Sequence, residues 1–284
     1  MVFGLIFCRA HDIIFYNYVT KEFAVLNAVI SAVKQAAKLA INAHYTIASK
    51  GGSANVVTSC DIAIQNLLRT KLLEIIPDSG FLGEESDLVE LNAEYIWIID
   101  PIDGTMNFTR GIRDSAISVA LHKNGEAVLG VVYNFFTDDV YYAERGKGAF
   151  HNGKPIHVSD RPFSDGLLCT AMSLYKKEYA QLCFDIISDL YAKSNDIRRL
   201  GACAMELCYI AEGKCDLYFE LRVYAWDCAA GELILREAGA HIYRFFAEDF
   251  YKKPLPIIAA NSEENLAILY ETVKKHFEKH NYRG

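Results

Sequence analysis

None of the eight cysteines of this chain lies in a C-x2-C pair. Cys8, Cys60, Cys169, Cys183, Cys203, Cys208, Cys215 and Cys228 sit mostly inside apolar runs, so no disulfide framework is expected at this length. They read as small hydrophobes of a reducing compartment, and the cytoplasm is the expected location. Also missing is an uninterrupted apolar run of the ~20 residues that a membrane span needs. The first nineteen residues are apolar and aromatic, but Arg9, His11 and Asp12 interrupt them and no small-residue cleavage site follows. They are expected to form an extra packed strand or arm, not a membrane helix or a signal peptide. Positive charge is short as well: 29 Lys and Arg face 36 Asp and Glu, a formal net charge of −7. That balance argues against a protein whose main task is gripping nucleic acid. An anionic substrate stays compatible, because bound cations can reverse the local field. There is no internal repeat and no low-complexity segment.

What is present is an ordinary globular composition, 52% hydrophobic and 23% charged over 284 residues, enough for one large or two medium domains. Leu26, Val29, Ile30, Val33, Ala37, Ala40 and Ile41 recur at helical spacing and predict a helix over about 22–49, ended by Gly51-Gly52-Ser53. A second helix is expected from near Thr58 to Pro77, with Asp61 in its first turn. Strands are expected over 95–100, 115–122, 127–134 and 140–143, with Asn124-Gly125 as a hairpin turn. Beyond Pro162 helices are expected near 176–192, 202–211, 228–238 and 263–279, and strands near 216–220 and 257–260. The segment 153–163 is the expected boundary between two halves.

Three acidic blocks carry the chemistry. The run Trp97-Ile98-Ile99 ends in Asp100, followed by Pro101, Ile102, Asp103, Gly104 and Thr105. Alone, Asp103 could merely bond backbone in a turn. Asp100 directly after a buried strand would be costly unless paired or metal-bound. Paired carboxylates beside free backbone N–H groups suit a divalent cation and a phosphate together. Gly83-Glu84-Glu85-Ser86 reads as a polar loop or a ligand loop. Asp227, in Trp226-Asp227-Cys228-Ala229-Ala230-Gly231, stands where a helix N-cap is expected and could also face a cation.

In this order the blocks resemble the inositol monophosphatase family of Mg-dependent, lithium-sensitive phosphatases: G-E-E-S, W-x-x-D-P-I-D-G-T-x-N-F and W-D-x-A-A-G-x-L-I-x-E-A-G. Lys50, Val57-Thr58-x-x-Asp61, Gly130-Val131-Val132-Tyr133 and Leu200-Gly201 extend the likeness over about residues 22–275. The resemblance implies an αβαβα layered α/β sandwich of the inositol monophosphatase/fructose-1,6-bisphosphatase type. Residues 1–21 would be an N-terminal extension, 22–155 a half of helices over an antiparallel sheet with most metal ligands, and 156–284 a smaller α/β half. It implies two or three Mg²⁺ ions, one held by Glu84, Asp100 and the Ile102 carbonyl, a second between Asp100, Asp103 and Asp227, and a weaker third near Glu84. Asp61 and Thr105 would orient and deprotonate the attacking water, with Glu84 beside them. Gly104 and Thr105 N–H groups would cradle the phosphate, Asp227 would lie beside it, and Asp103, Gly201, Ala202 and Glu220 would contact the leaving alcohol.

The implied reaction is hydrolysis of a small phosphorylated polyol, sugar or nucleotide, inositol 1-phosphate first, since Asn107-Phe108 has the form typical of inositol phosphatases. Fructose-1,6-bisphosphatase, NADP(H) phosphatase and 3′-phosphoadenosine 5′-phosphate phosphatase activities are the enzymatic alternatives. A regulatory partner of RNA or the transcription machinery is the non-enzymatic one. A homodimer is a family expectation. Two departures stand out: Ala202-Cys203 where Thr or Ser is common, and Leu221-Arg222-Val223-Tyr224-Ala225 where a Gly-containing loop is common. Arg222 is either a solvated charge or a contact for a second anionic group. His276 and His280 are expected on a surface helix face without a third ligand. Gly146-Lys147-Gly148 is expected to be a tight turn, not a phosphate loop.

Overall fold

In the computed structural model, which describes residues 10–41, 45–49, 56–85, 92–172 and 176–284, the chain enters helix α1 (Ala10–Ile41). Residues 10–19 are therefore helical, where a strand or arm was expected. No Pro or Gly lies between Ala10 and Ile41 to break this helix. The helix also stops short of residue 49. β1 (Ile47–Ser49) pairs antiparallel with β2 (Val56–Thr58), matching Ile47 with Thr58 and Ala48 with Val57. Lys50, the Gly51-Gly52-Ser53 break and Ser86 lie outside the described residues.

Helix α2 (Ser59–Ile75) begins with a reciprocal cap. The Thr58 hydroxyl accepts from Cys60 N at 3.2 Å, and Asp61 accepts from Thr58 N at 2.7 Å. This satisfies amides that the first helical turn leaves orphaned. Ile64, Leu68 and Leu72 give the helix its buried stripe.

Seven strands follow in one sheet, in chain order: β3 (Gly80–Gly83), β4 (Tyr95–Asp103), β5 (Ala116–Lys123), β6 (Glu126–Asn134), β7 (Asp139–Glu144), β8 (Ala149–His151) and β9 (Lys154–Ile156). The short helix α3 (Thr105–Thr109) lies between β4 and β5. β3 runs parallel to β4, and all later pairings are antiparallel. Asn124 and Gly125, at φ +50° and +83°, make the expected hairpin turn between β5 and β6.

The second half alternates β10 (Leu167–Ala171), α4 (Ala180–Tyr191), β11 (Asp196–Arg198), α5 (Cys203–Ala211), β12 (Leu217–Val223), α6 (Ala225–Glu237), β13 (His241–Arg244), β14 (Leu255–Ala260) and α7 (Glu263–Lys279). Its sheet has the order β11-β10-β12-β14-β13, with β10 parallel to β11 and β12.

Side-chain alternation along β4 assigns the layers. Trp97 and Ile99 pack with Val29, Val33, Ile64 and Leu68 of α1 and α2. Ile96 and Ile98 face the opposite way, into a core shared with α5, α6 and the inner face of the second sheet. The outer face of that sheet, Leu217, Phe219 and Leu221, packs on α4 and α7. Five layers result, αβαβα, as expected.

Helix α6 lies very close to the first sheet. A Cβ built on Gly130 of β6 would stand 2.7 Å from the Ala230 carbonyl oxygen. At the far end of α6 the Glu237 carboxylate accepts from Gly146 N at 2.8 Å and Gly148 N at 2.9 Å. The Gly146-Lys147-Gly148 turn thus grips the protein's own carboxylate. The seven described cysteines are buried and none of them forms a disulfide. Among the described residues no helix is long and apolar enough to cross a membrane. His276 departs from expectation: it is buried, because α4 packs across that face of α7 and brings Asp189 to its ring.

Candidate active site

Proline cannot donate to a sheet ladder, and β4 responds to Pro101 with an irregularity between Asp100 and Asp103. Before it, even-numbered residues face α5 and α6; after it, Ile102 belongs to the α1/α2 core instead. The parity switch turns Asp103, three residues on, toward the same side as Asp100. Both carboxylates are buried, at 2% and 6% exposure. They line one cavity with Glu84, the Ile102 backbone, Gly104, Thr105, Gly201, Ala202, Glu220 and Asp227.

Each group is held by a different element. Glu84 leaves β3 with its amide donating to the Ile99 carbonyl of β4 at 3.2 Å. Gln65 of α2 fixes the same loop, accepting from Glu85 N at 2.9 Å. Asp103 accepts from Cys203 N at 3.1 Å and Ala204 N at 2.7 Å, the first amides of α5. Asp227 is not the N-cap expected for it. It occupies the third position of α6 and accepts from Tyr224 N at 2.8 Å, because α6 starts two residues earlier, at Ala225. Ser118 of β5, bonded to the Trp226 carbonyl at 3.3 Å, fixes this helix start over the sheet.

Asp61, though distant in sequence, abuts the cluster. The Thr105 hydroxyl lies 3.4 Å from Asp61 Oδ1 and 3.0 Å from the Ile102 carbonyl oxygen. The same Ile102 residue donates its amide to Asp100 Oδ1 at 2.9 Å. Gly104, at φ +79°, permits the turn; a Cβ there would touch Ala202 at 3.0 Å. Gly201, at φ +91°, allows the close approach of Asn107, whose amide donates to the Asp114 and Leu200 carbonyls at 2.8 Å each.

Sequence reasoning missed three residues here. Arg199 lines the cavity without any motif pattern to flag it. Glu206 of α5 accepts from Leu200 N and Gly201 N at 2.7 and 2.9 Å, shaping the turn beneath the cavity. Gln65, like Glu206, sits on a helix face where periodicity reads only burial. Arg222 is half-buried, lines the cavity and lies over the Tyr179 ring at 5.9 Å.

The electrostatics are one-sided. Burial, then the charges of Glu84, Asp103, Asp227 and Asp61, push the Asp100 carboxyl well above its usual range. Asp103 is pushed the same way by burial and then by Asp227. Burial raises Asp61, and raises Glu220 to about 8. Glu220 also accepts from the Tyr218 hydroxyl at 2.6 Å. Carboxylates packed this closely are stable together only when protons or cations neutralise them. An all-oxygen set of four carboxylates and a carbonyl fits Mg²⁺, a hard ion. The donor chemistry therefore suits the ions that the resemblance implies.

A model of the Inositol monophosphatase family matches residues 17–278. A Nus factor SuhB of Vibrio cholerae is 35% identical over 252 residues, 86% of this chain and 94% of the relative. An inositol-1-monophosphatase of Rhizobium meliloti is 37% identical over 223 residues, 76% of this chain and 84% of the relative. The crystal structure of the extragenic suppressor protein suhB from Bartonella henselae superposes with a TM-score of 0.79 at 31% identity. It covers 89% of this chain and 99% of its own.

Proposed function

The chain belongs to the inositol monophosphatase family, and on that premise we propose that it hydrolyses a small phosphomonoester, inositol 1-phosphate first, with Mg²⁺. The carrying observation is that Asp100 and Asp103 of β4, Glu84 after β3 and Asp227 of α6 share one cavity beside the Thr105–Asp61 contact. Glu84, Asp100 and the Ile102 carbonyl would hold one ion, Asp100, Asp103 and Asp227 a second, and a third would sit near Glu84. Bound there, the ions supply Lewis acidity and neutralise phosphate charge.

The protein's own residues do the rest. Asp61, raised by burial, takes the proton of the attacking water through the Thr105 hydroxyl. The amides of Gly104 and Thr105 receive phosphate oxygens, with Asp227 alongside. Helix α3 has only five residues, so these amides act as local donors and not through a helix dipole. Asp103, Gly201, Ala202 and Glu220 meet the leaving alcohol. Burial favours the protonated form of Glu220, the form that donates a hydrogen bond to a hydroxyl.

Phosphate release measured over inositol 1-phosphate, fructose 1,6-bisphosphate, 3′-phosphoadenosine 5′-phosphate and NADP⁺, with and without Li⁺, tests this reading. Mg-dependent, Li-inhibited turnover of inositol 1-phosphate above the others is expected; no turnover of any of the four refutes it. We place the protein in the cytoplasm as a homodimer, which light scattering checks.

The names of two relatives favour a second reading: Nus factor SuhB proteins align over most of this chain. In that reading the chain is a regulatory partner of RNA or the transcription machinery. Asp100→Asn separates the two, since a cellular effect that survives loss of turnover belongs to binding.

A further inference from the structure

Helices α4 and α7 face each other with four charged or chargeable groups in register. Asp185 and Asp189 stand one turn apart on α4, and His276 and His280 one turn apart at the end of α7. His276 Nε2 lies 3.1 Å from Asp189 Oδ2, and His280 Nε2 lies 2.9 Å from Asp185 Oδ2. One ligand atom from each of Asp185, His276 and His280 falls within 4.8 Å of the others. Nothing in the phosphatase chemistry uses these residues.

Two features separate the cluster from an ordinary row of ion pairs. His276 is only 6% exposed, and its Nδ1 is buried with no hydrogen-bond partner among the described residues. In the tautomer whose Nε2 donates to Asp189, Nδ1 holds the lone pair with which a histidine binds a metal. A carboxylate that holds the other ring nitrogen is how metal-binding histidines are oriented. Second, Asp185 is ionised and already surrounded by flexible donors. Gln181 Nε2 reaches Oδ1 at 2.7 Å, and Lys279 Nζ reaches Oδ2 at 2.8 Å. Lys279 is 61% exposed along its side chain, so the pair it forms is a weak surface pair that a divalent cation can displace.

We propose that Asp185, His276 and His280 form a cation site for a borderline divalent ion of the Zn²⁺ type, oriented by Asp189 and separate from the carboxylate cavity. Two imidazoles and one carboxylate with an open fourth position suit Zn²⁺ and exclude Mg²⁺ as the preferred occupant. Zn–ligand bonds of ~2.0–2.1 Å put tetrahedral donor atoms about 3.3 Å apart. Binding would draw the three groups in from their present spacing of up to 4.8 Å. Bound, the ion would pin the end of α7 to α4 and replace the Lys279 contact. The sequence shows the two histidines at helical spacing; the third ligand is on a helix some ninety residues earlier and is visible only in the fold.

The test uses the full chain with Mg²⁺ in large excess, so that the oxygen-lined cavity is saturated, and Co²⁺ and Zn²⁺ as probes. Expected are intense visible bands of tetrahedral, nitrogen-ligated Co²⁺, bleached by one equivalent of Zn²⁺, and a Zn²⁺-dependent rise in melting temperature. His280→Ala and Asp185→Asn, both at partly exposed positions, should weaken Zn²⁺ binding by at least ~30-fold and abolish the melting shift, with the Mg-dependent phosphatase rate unchanged. Titration curves of either variant that superpose on the unmodified protein overturn the proposal. So does a wild-type Co²⁺ spectrum without tetrahedral bands, which would leave plain helix-to-helix ion pairs.

Discussion

The Thr105 hydroxyl and the Asp61 carboxylate meet at 3.4 Å across 44 residues of sequence. Asp61 earns this position twice: it closes the cap of α2 through Thr58 and turns its other oxygen toward Thr105. One carboxylate therefore ties the start of a helix to the end of a strand.

Thr105→Ala should lower kcat about 100-fold, the usual worth of a positioned proton acceptor. The Mg²⁺ concentration for half activity should stay within about twofold, and Thr105→Ser should restore most of the rate. Steady-state kinetics over a Mg²⁺ series check this. An equal loss of metal affinity would assign Thr105 to ion binding instead.

Asp100→Asn should abolish turnover and yet stabilise the metal-free protein. Asparagine there removes a carboxyl that burial, Glu84, Asp103 and Asp227 hold well above its usual range, and with it the cost of keeping that carboxyl protonated. A rise in melting temperature of roughly 2–4 °C in chelator is expected, read by differential scanning fluorimetry. A fall would mean that Asp100 is held by favourable partners.

The metal-free protein should lose stability as pH rises from 6.5 to 8. Burial raises Glu220 to about 8 and Glu206 to about 7, against an ordinary 4.5. The folded state keeps protons that the unfolded chain has released, so the stability present below 4.5 disappears as pH passes through the folded values. His122, lowered by burial from 6.5 to about 4, acts oppositely, but only below 6.5. Calorimetry in chelator measures the slope, and Glu220→Gln should flatten it. A profile that rises with pH contradicts the assignment.

Arg199→Ala and Arg222→Ala should leave KM for inositol 1-phosphate within about threefold. For substrates with a second phosphate they should raise it by about 10- to 100-fold, the worth of one charged hydrogen bond. Both guanidinium groups line a cavity otherwise dominated by carboxylates. Equal effects on both substrate types would make them general phosphate contacts.

Much of this was legible in the chain. The Thr58–Asp61 cap, the Asn124-Gly125 turn and the strand ending at Asp100 are local, and local propensity announces them. The five-layer order followed from the resemblance and is what the alternation of β4 requires. What stayed hidden depends on surfaces meeting from afar. The burial of His276 needs α4 across its face, Gln65 matters only because the Glu84 loop lands on it, and Arg199 is placed by a turn that Glu206 holds. Asp227 looks like an N-cap in the sequence because capping residues and third-position acids share the same chemistry at a helix start.

The contact of Gly130 with Ala230 has a consequence beyond packing. The gap between a strand and a helix there is one hydrogen atom wide, and Asp227 rides on that helix while Asp100 and Asp103 ride on that sheet. The reach from the acids of β4 to the acid of α6 is thus gauged by the close approach of a glycine to a helix backbone carbonyl. A single added methyl group at that contact would pry open the grip that the acids need.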